Sequence, residues 1–122
     1  MNKKIDENCI FCKIVEGIIP TSKIIENDFV IAFNDINPLF KKHILVIPKK
    51  HIESFDKLEE TEEDDKYMLE IQKAIKNIAK LENINESGYR VVTNIGEDAG
   101  QTVKHLHFHV LGGEDMPFEN NN

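Results

Sequence analysis

The sequence predicts a single α+β domain, an antiparallel sheet with one long amphipathic helix on one face, and three observations predict it. Short β-branched and aromatic runs recur over residues 29–33, 43–47, 89–94 and 105–111. One stretch, starting at Thr61, carries apolar residues at spacings of three and four. The 122 residues, 40% hydrophobic and 30% charged, suffice for one core and are too few for a second. A chain of this size buries roughly two thirds of its unfolded surface, so the core forms without disulfide or metal. With no internal repeat or linker, the domain is expected over residues 9–118, between a flexible start over 1–8 and a disordered tail over 119–122.

Taken in order, Phe29, Val30, Ile31, Ala32 and Phe33 end at Asn34 and Asp35, and His43 to Ile47 end at Pro48. They read as consecutive strands of a meander, with Ile36, Asn37 and Pro38 as the turn. In the helix, Tyr67, Met68, Ile71, Ala74, Ile75, Ile78 and Leu81 form the inward face and Lys66, Glu70, Lys73, Lys76 and Lys80 the outward one. Thr61 followed by Asp64 resembles a capping box, and acids in the first turn with lysines in the last suit the helix dipole. Residues 53–70 hold nine acids and two lysines, leaving 13 acids and 13 bases elsewhere, so the net charge of −7 belongs to this one helix start. An acidic chain repels nucleic acid and anionic membranes, which leaves small nucleotides as the open class of phosphate ligand. Residues 89–94 and 105–111 supply two further strands, separated by a glycine-containing loop over 96–101.

Three of the five histidines, His105, His107 and His109, alternate with Leu106, Phe108 and Val110. In a strand the imidazoles line one face and the apolar residues the other, so one face is core and the other is chemistry or metal. Cys9 and Cys12 are separated by two residues; a redox pair, half a metal site and coincidence are all open. A thioredoxin-like reading lacks its βαβ context. The opening residues hold no stretch apolar enough for a signal peptide, and no run approaches the roughly 20 apolar residues of a membrane span. A cytoplasmic location is therefore expected, where a Cys pair serves metal or redox chemistry sooner than a structural disulfide.

The segment Gly100-Gln101-Thr102-Val103-Lys104-His105-Leu106-His107-Phe108-His109-Val110-Leu111-Gly112-Gly113 resembles the signature of the histidine triad (HIT) superfamily, and within it the Hint branch of nucleotide-binding phosphoramidases. The likeness covers nearly the whole chain. Cys9 to Ile14, Ile19-Pro20, Ala32 to Ile36, His43 to Ile52 and Gly88-Tyr89-Arg90 stand in the family's order.

The resemblance implies a homodimeric hydrolase of the adenosine 5′-monophosphoramidase type, acting on a purine mononucleotide's phosphoramidate through a nucleotidyl-histidine. His107 would be the nucleophile, a role that suits an imidazole largely neutral at pH 7. His109 would protonate the departing amine or orient water, and His43 would support the triad. Asn94, Gln101 and Thr102 would contact the α-phosphate beside the amides of Gly100 and Val103. Because Arg90 is the only arginine, backbone N–H groups and neutral donors must carry the phosphate in place of guanidinium clamps. Asp35 would accept from the ribose hydroxyls, although an Asp after a strand is also an ordinary turn residue. Phe11, Ile14, Phe33 and Ile36 would form the slot for the base, though on composition alone all four pass as core. Cys9, Cys12, His51 and His105 would hold a structural zinc ion, the alternative being two buried free thiols. No organic cofactor is implied. The chain departs from the pattern at Thr102, where Ser is usual, at Lys104, where many relatives carry Tyr, and near Phe118, where a tryptophan is common. A dinucleoside polyphosphate hydrolase and a non-catalytic nucleotide-binding scaffold are the other two readings.

Overall fold

Thr61 begins the longest element for a local reason: its Oγ1 accepts from the amide of Asp64 at 3.1 Å, satisfying one of the unpaired N–H groups of the first helical turn. In the computed structural model, which describes residues 6–117, this helix is α2, Glu62–Leu81. The elements before it are α1 (Ile10–Val15), β1 (Lys23–Glu26), β2 (Val30–Asn34) and β3 (Lys42–Pro48), and those after it are β4 (Tyr89–Val92) and β5 (Phe108–Gly112). The expectations for residues 1–5, for Phe118 and for the tail over 119–122 lie outside the described residues. Residues 6–8 form a turn that leads into α1, with the Cys9 amide on the Asp6 carbonyl at 3.0 Å. Among the described residues no helix is long and apolar enough to cross a membrane.

The five strands form one antiparallel sheet in the order β1-β2-β3-β5-β4. Period-two alternation gives the sheet two buried faces. Val30, Ala32, Ile44, Val46, Phe108 and Val110 meet α2 through Ile71, Ala74 and Ile78. Ile31, Phe33, Leu45 and Ile47 point the other way and are covered by α1 through Phe11, Cys12 and Ile14. β3 and β5 are central and register His109 opposite Leu45 and Leu111 opposite His43, so both histidines lie on the α1 face.

Several sequence expectations change. α1, with six residues, is too short to show a helical period, and β1 is an edge strand of sequence Lys-Ile-Ile-Glu without alternation. β4 stops at Val92, and the ladder of β5 starts at Phe108, so His105 and His107 lie in an extended lead-in whose Leu106 amide bonds the Ile52 carbonyl at 2.6 Å. Leu81 is 62% exposed because it closes the last turn beyond the sheet, and Met68 is only partly buried. Asp64 is buried beside the sheet, where its carboxylate accepts from the Glu59 amide at 2.8 Å and Lys50 Nζ at 2.7 Å.

Candidate active site

The alternation over 105–110 holds in three dimensions even where the ladder does not. Leu106, Phe108 and Val110 enter the α2 core, while His105, His107 and His109 face the α1 side. The His107 ring stands edge-on to Phe11, with ring centroids 5.1 Å apart, and next to His109 at 5.2 Å. Its Nδ1 lies 2.7 Å from the His105 carbonyl. A carbonyl oxygen can only accept, so Nδ1 carries the proton and the lone pair of the neutral ring is on Nε2. Burial pushes the His107 pKa down, which keeps the ring neutral and nucleophilic near pH 7.

A second chain of protons is fixed the same way. The Leu39 amide, which can only donate, lies 3.0 Å from His43 Nδ1. The neutral His43 ring therefore carries its proton on Nε2 and donates it to His109 Nδ1 at 2.9 Å, with Asp35 Oδ2 at 3.3 Å from the same nitrogen. His109, accepting at Nδ1, keeps its own proton on Nε2. Burial is the main cause of a His109 pKa pushed down to about 4, with His107 and His43 adding to the effect and the Asp35 carboxylate opposing it. His43 is lowered too, chiefly by burial and against Asp35.

The other sequence-predicted residues are distributed unequally around this centre. Phe11, Ile14 and Phe33 share one apolar cluster, Phe11 and Phe33 with ring centroids 5.8 Å apart. Ile36 is 88% exposed and outside that cluster, because the Asp35 carboxylate accepts from the Asn37 amide at 2.8 Å and turns the chain away from the sheet. Asp35 thus makes the ordinary turn bond and reaches His43 with its other oxygen. Asn94 is half-buried just past β4. Gly100 takes a φ of +83°, a conformation that disfavours a side chain, and the following Gln101 spends its amide inside the loop. Gln101 Oε1 accepts from the Gly96 amide, and its Nε2 donates to the carbonyls of Glu53 and Val103. As placed, that side chain braces the loop, and what residue 101 offers an anion is backbone. Thr102 is exposed and Val103 half-buried against the α1 core. Arg90 donates to the carbonyl of Met116.

Three groups are absent from any sequence reading. The Thr93 hydroxyl donates to the His107 carbonyl at 2.7 Å, fixing the backbone of the central histidine. The Leu39 amide and the Pro48 carbonyl act as main-chain partners of His43 and His105. A threonine at a strand end carries no signal of such a role, and a main-chain group carries none whatever its residue.

Cys9, Cys12, His51 and His105 bring their ligand atoms within 4.8 Å of one another, and all four residues are buried. His105 Nδ1 is 3.3 Å from Cys9 Sγ and 3.5 Å from Cys12 Sγ, and His51 Nδ1 is 3.2 Å from Cys12 Sγ. Four donors around a tetrahedral zinc ion, at about 2.0–2.3 Å each, stand roughly this far apart. The outer nitrogens fit as well: His105 Nε2 donates to the Pro48 carbonyl at 2.9 Å, which leaves Nδ1 as the free lone pair, and His51 Nε2 lies 3.9 Å from an Asp6 carboxylate oxygen. Without a cation, burial pushes the Cys12 thiol up to about 12.

Asp35, His43 and His109 also lie within 4.8 Å of one another, but they fit a cation poorly. His43 would have to offer Nε2 while the Leu39 amide already occupies Nδ1, and an imidazole with two lone pairs in use is an anion.

A model of the HIT domain family matches residues 16–116. An uncharacterized HIT-like protein of Methanocaldococcus jannaschii is 45% identical over 103 residues, covering 84% of this chain and 77% of that protein. Among solved structures, a HIT family hydrolase from Clostridium thermocellum superposes with a TM-score of 0.87 at 45% identity, over 93% of this chain and 97% of that one. A histidine triad nucleotide-binding protein from Candida albicans gives 0.77 at 34% identity, over 92% and 85%.

Proposed function

This chain belongs to the HIT family, and on that premise we propose that it hydrolyses purine nucleoside 5′-monophosphoramidates through a nucleotidyl-His107 intermediate. The observation that carries the reading is the pair of opposite tautomers on neighbouring rings. His107 presents a lone pair at Nε2, and His109 presents an N–H at Nε2. Attack by His107 Nε2 on phosphorus forms the N–P bond as the P–N bond to the amine breaks, and the His43–His109 pair, carrying one proton more than its neutral form, gives the proton of His109 Nε2 to the amine. Water then attacks the nucleotidyl-His107, giving its proton to the His43–His109 pair and freeing the nucleotide.

In this reading Phe11, Ile14 and Phe33 hold the base with Ile36 as an outer wall, and Asp35 accepts from the ribose hydroxyls. Asn94, Thr102 and the amides of Gly100 to Val103 hold the α-phosphate. A zinc ion on Cys9, Cys12, His51 and His105 would have a structural role. Those ligands join α1, the segment after β3 and the lead-in to β5, which fixes the catalytic face from behind. Unbridged Cys9 and Cys12 suit the reducing cytoplasm. We further propose a homodimer built on α2 and β4. β4 is an edge strand with Val91 43% exposed, and an open apolar groove of about 480 Å³ runs along α2 past Met68, Leu69, Gln72 and Ile75.

The test is turnover of an adenosine 5′-phosphoramidate beside diadenosine tetraphosphate, with mass spectrometry of the quenched enzyme. The expected outcome is preference for the phosphoramidate and an adenylyl adduct on His107. His107→Ala is expected to abolish turnover while nucleotide affinity stays within about tenfold, or roughly 1.4 kcal/mol. An adduct on another residue, or faster cleavage of the dinucleotide, would overturn the reading.

A further inference from the structure

We propose that Asp35 is a positioning residue for the proton of the His43–His109 pair, supplying the acceptor that the pair needs whenever it carries a positive charge. The proposal rests on the reading of His109 as the acid and base of the reaction. In the first half-reaction the pair gives one proton to the amine as the P–N bond breaks and the bond to His107 Nε2 forms. In the second it takes one back from water as the O–P bond forms and the bond to His107 breaks. The pair therefore alternates between three and two N-bound protons.

Two protons fit the observed geometry without conflict, one on His43 Nε2 directed at His109 Nδ1 and one on His109 Nε2. A third has a single place to go. The Leu39 amide occupies His43 Nδ1, so the extra proton sits on His109 Nδ1 and faces the His43 Nε2–H across 2.9 Å. Two N–H bonds cannot point at each other, so one must turn to another acceptor. Asp35 Oδ2 stands 3.3 Å from His43 Nε2, with 19% side-chain exposure, and the three ligand atoms of Asp35, His43 and His109 all lie within 4.8 Å of one another. The carboxylate is held in place from its far side, where Oδ1 accepts from the Asn37 amide at 2.8 Å. The titratable groups facing the pair are Asp35 from the turn between β2 and β3 and His107 from the lead-in to β5. His107 opposes a positive charge on His109, and Asp35 favours it.

Asp35→Asn removes the charge and keeps both the size of the side chain and an acceptor for the Asn37 amide. The direct readout is a pH titration of the imidazole ring nitrogens by NMR in the unliganded protein. The proton affinity of the pair is expected to fall about tenfold or more, the usual effect of losing a carboxylate at this range. The alkaline limb of kcat for a 2′,3′-dideoxyadenosine phosphoramidate, which lacks the diol, is expected to move to lower pH in step. Asp35→Ser, whose hydroxyl can still accept from Asn37, is expected to give the same shift and serves if the Asn variant folds poorly. An unchanged ring titration in either folded variant overturns the proposal, even where ribonucleotide turnover is lost. Because the titration needs no substrate, it decides the matter whether or not phosphoramidates prove to be cleaved.

Discussion

Removing metal from the Cys9, Cys12, His51 and His105 cluster is expected to lower the melting temperature by about 12–24 °C. All four residues are buried, and their ligand atoms come from three separate stretches of chain, so the unfolded chain offers no comparable site. A ligand that binds only the folded state adds RT ln(1 + [L]/Kd), about 4 kcal/mol at a free zinc concentration a thousandfold above Kd. For a domain of this size each kcal/mol moves Tm by about 3–6 °C, so the expected drop is about 12–24 °C. The sign of the pH dependence follows from Cys12. In the stripped fold its thiol is pushed up to about 12, above its value in an unfolded chain, so the stripped fold loses that contribution as pH rises past about 9. The loaded fold needs the thiolate and releases its proton to the solvent on binding, so zinc affinity rises with pH, by up to tenfold per unit for each proton displaced. The gap between loaded and stripped protein therefore widens as pH rises. Differential scanning calorimetry with and without a chelator, paired with elemental analysis, measures it. Equal melting temperatures, or about no zinc in protein from a zinc-replete preparation with both thiols freely titratable, would refute the reasoning.

Two other outcomes follow from the same structure. Asp35→Ala is expected to weaken adenosine nucleotides far more than their 2′-deoxy counterparts in calorimetric binding, and equal losses would return Asp35 to its turn bond with Asn37 and its contact with His43. Leu69→Glu, on the outward side of α2 where Leu69 is 42% exposed, is expected to give monomers by sedimentation with the fold retained, and an unchanged dimer would move the interface elsewhere.

What the sequence made legible was whatever repeats along the chain. α2 shows its period over twenty residues, and the histidines show theirs over five, so both were readable without neighbours. α1 is six residues and β1 four, shorter than the pattern that would announce them, and their places depend on the sheet they cover or extend. The family resemblance puts Ile36 in the slot for the base and its type alone would pass as core, but its exposure is decided by the hydrogen bond from the Asn37 amide to Asp35. Asp64 belongs to an acidic run that reads as solvated. It is buried because Lys50, fourteen residues earlier, reaches it at 2.7 Å, and one close opposite charge with an added backbone donor offsets much of the cost of leaving water.

The division of labour among the imidazoles was the least legible feature, and the reason is physical. A neutral imidazole has one donor and one acceptor nitrogen, so the bond made by one nitrogen decides what the other can do. His105 donates its Nε2–H to the Pro48 carbonyl and has its lone pair at Nδ1, facing two thiols. His107 donates its Nδ1–H to the carbonyl of His105 and has its lone pair at Nε2. His43 accepts from Leu39 and must donate to His109, which leaves His109 a donor at Nε2. Three histidines in strict alternation thus present three different faces: a lone pair toward the thiols, a lone pair at Nε2 and an N–H at Nε2, which suit the metal ligand, nucleophile and acid of the proposed reaction. Side chains two residues apart are equivalent by pattern, and they are made different by their partners: the Pro48 carbonyl, the adjacent His105 carbonyl and, acting through His43, the Leu39 amide. A backbone amide or carbonyl has no residue type, so no motif records which one will arrive. The same rule separates the two ligand clusters: His105, beside the cysteines, has its outer nitrogen on the Pro48 carbonyl and its other lone pair turned to the thiols, while the Leu39 amide occupies His43 Nδ1 and leaves His43 Nε2 a donor toward His109 and Asp35.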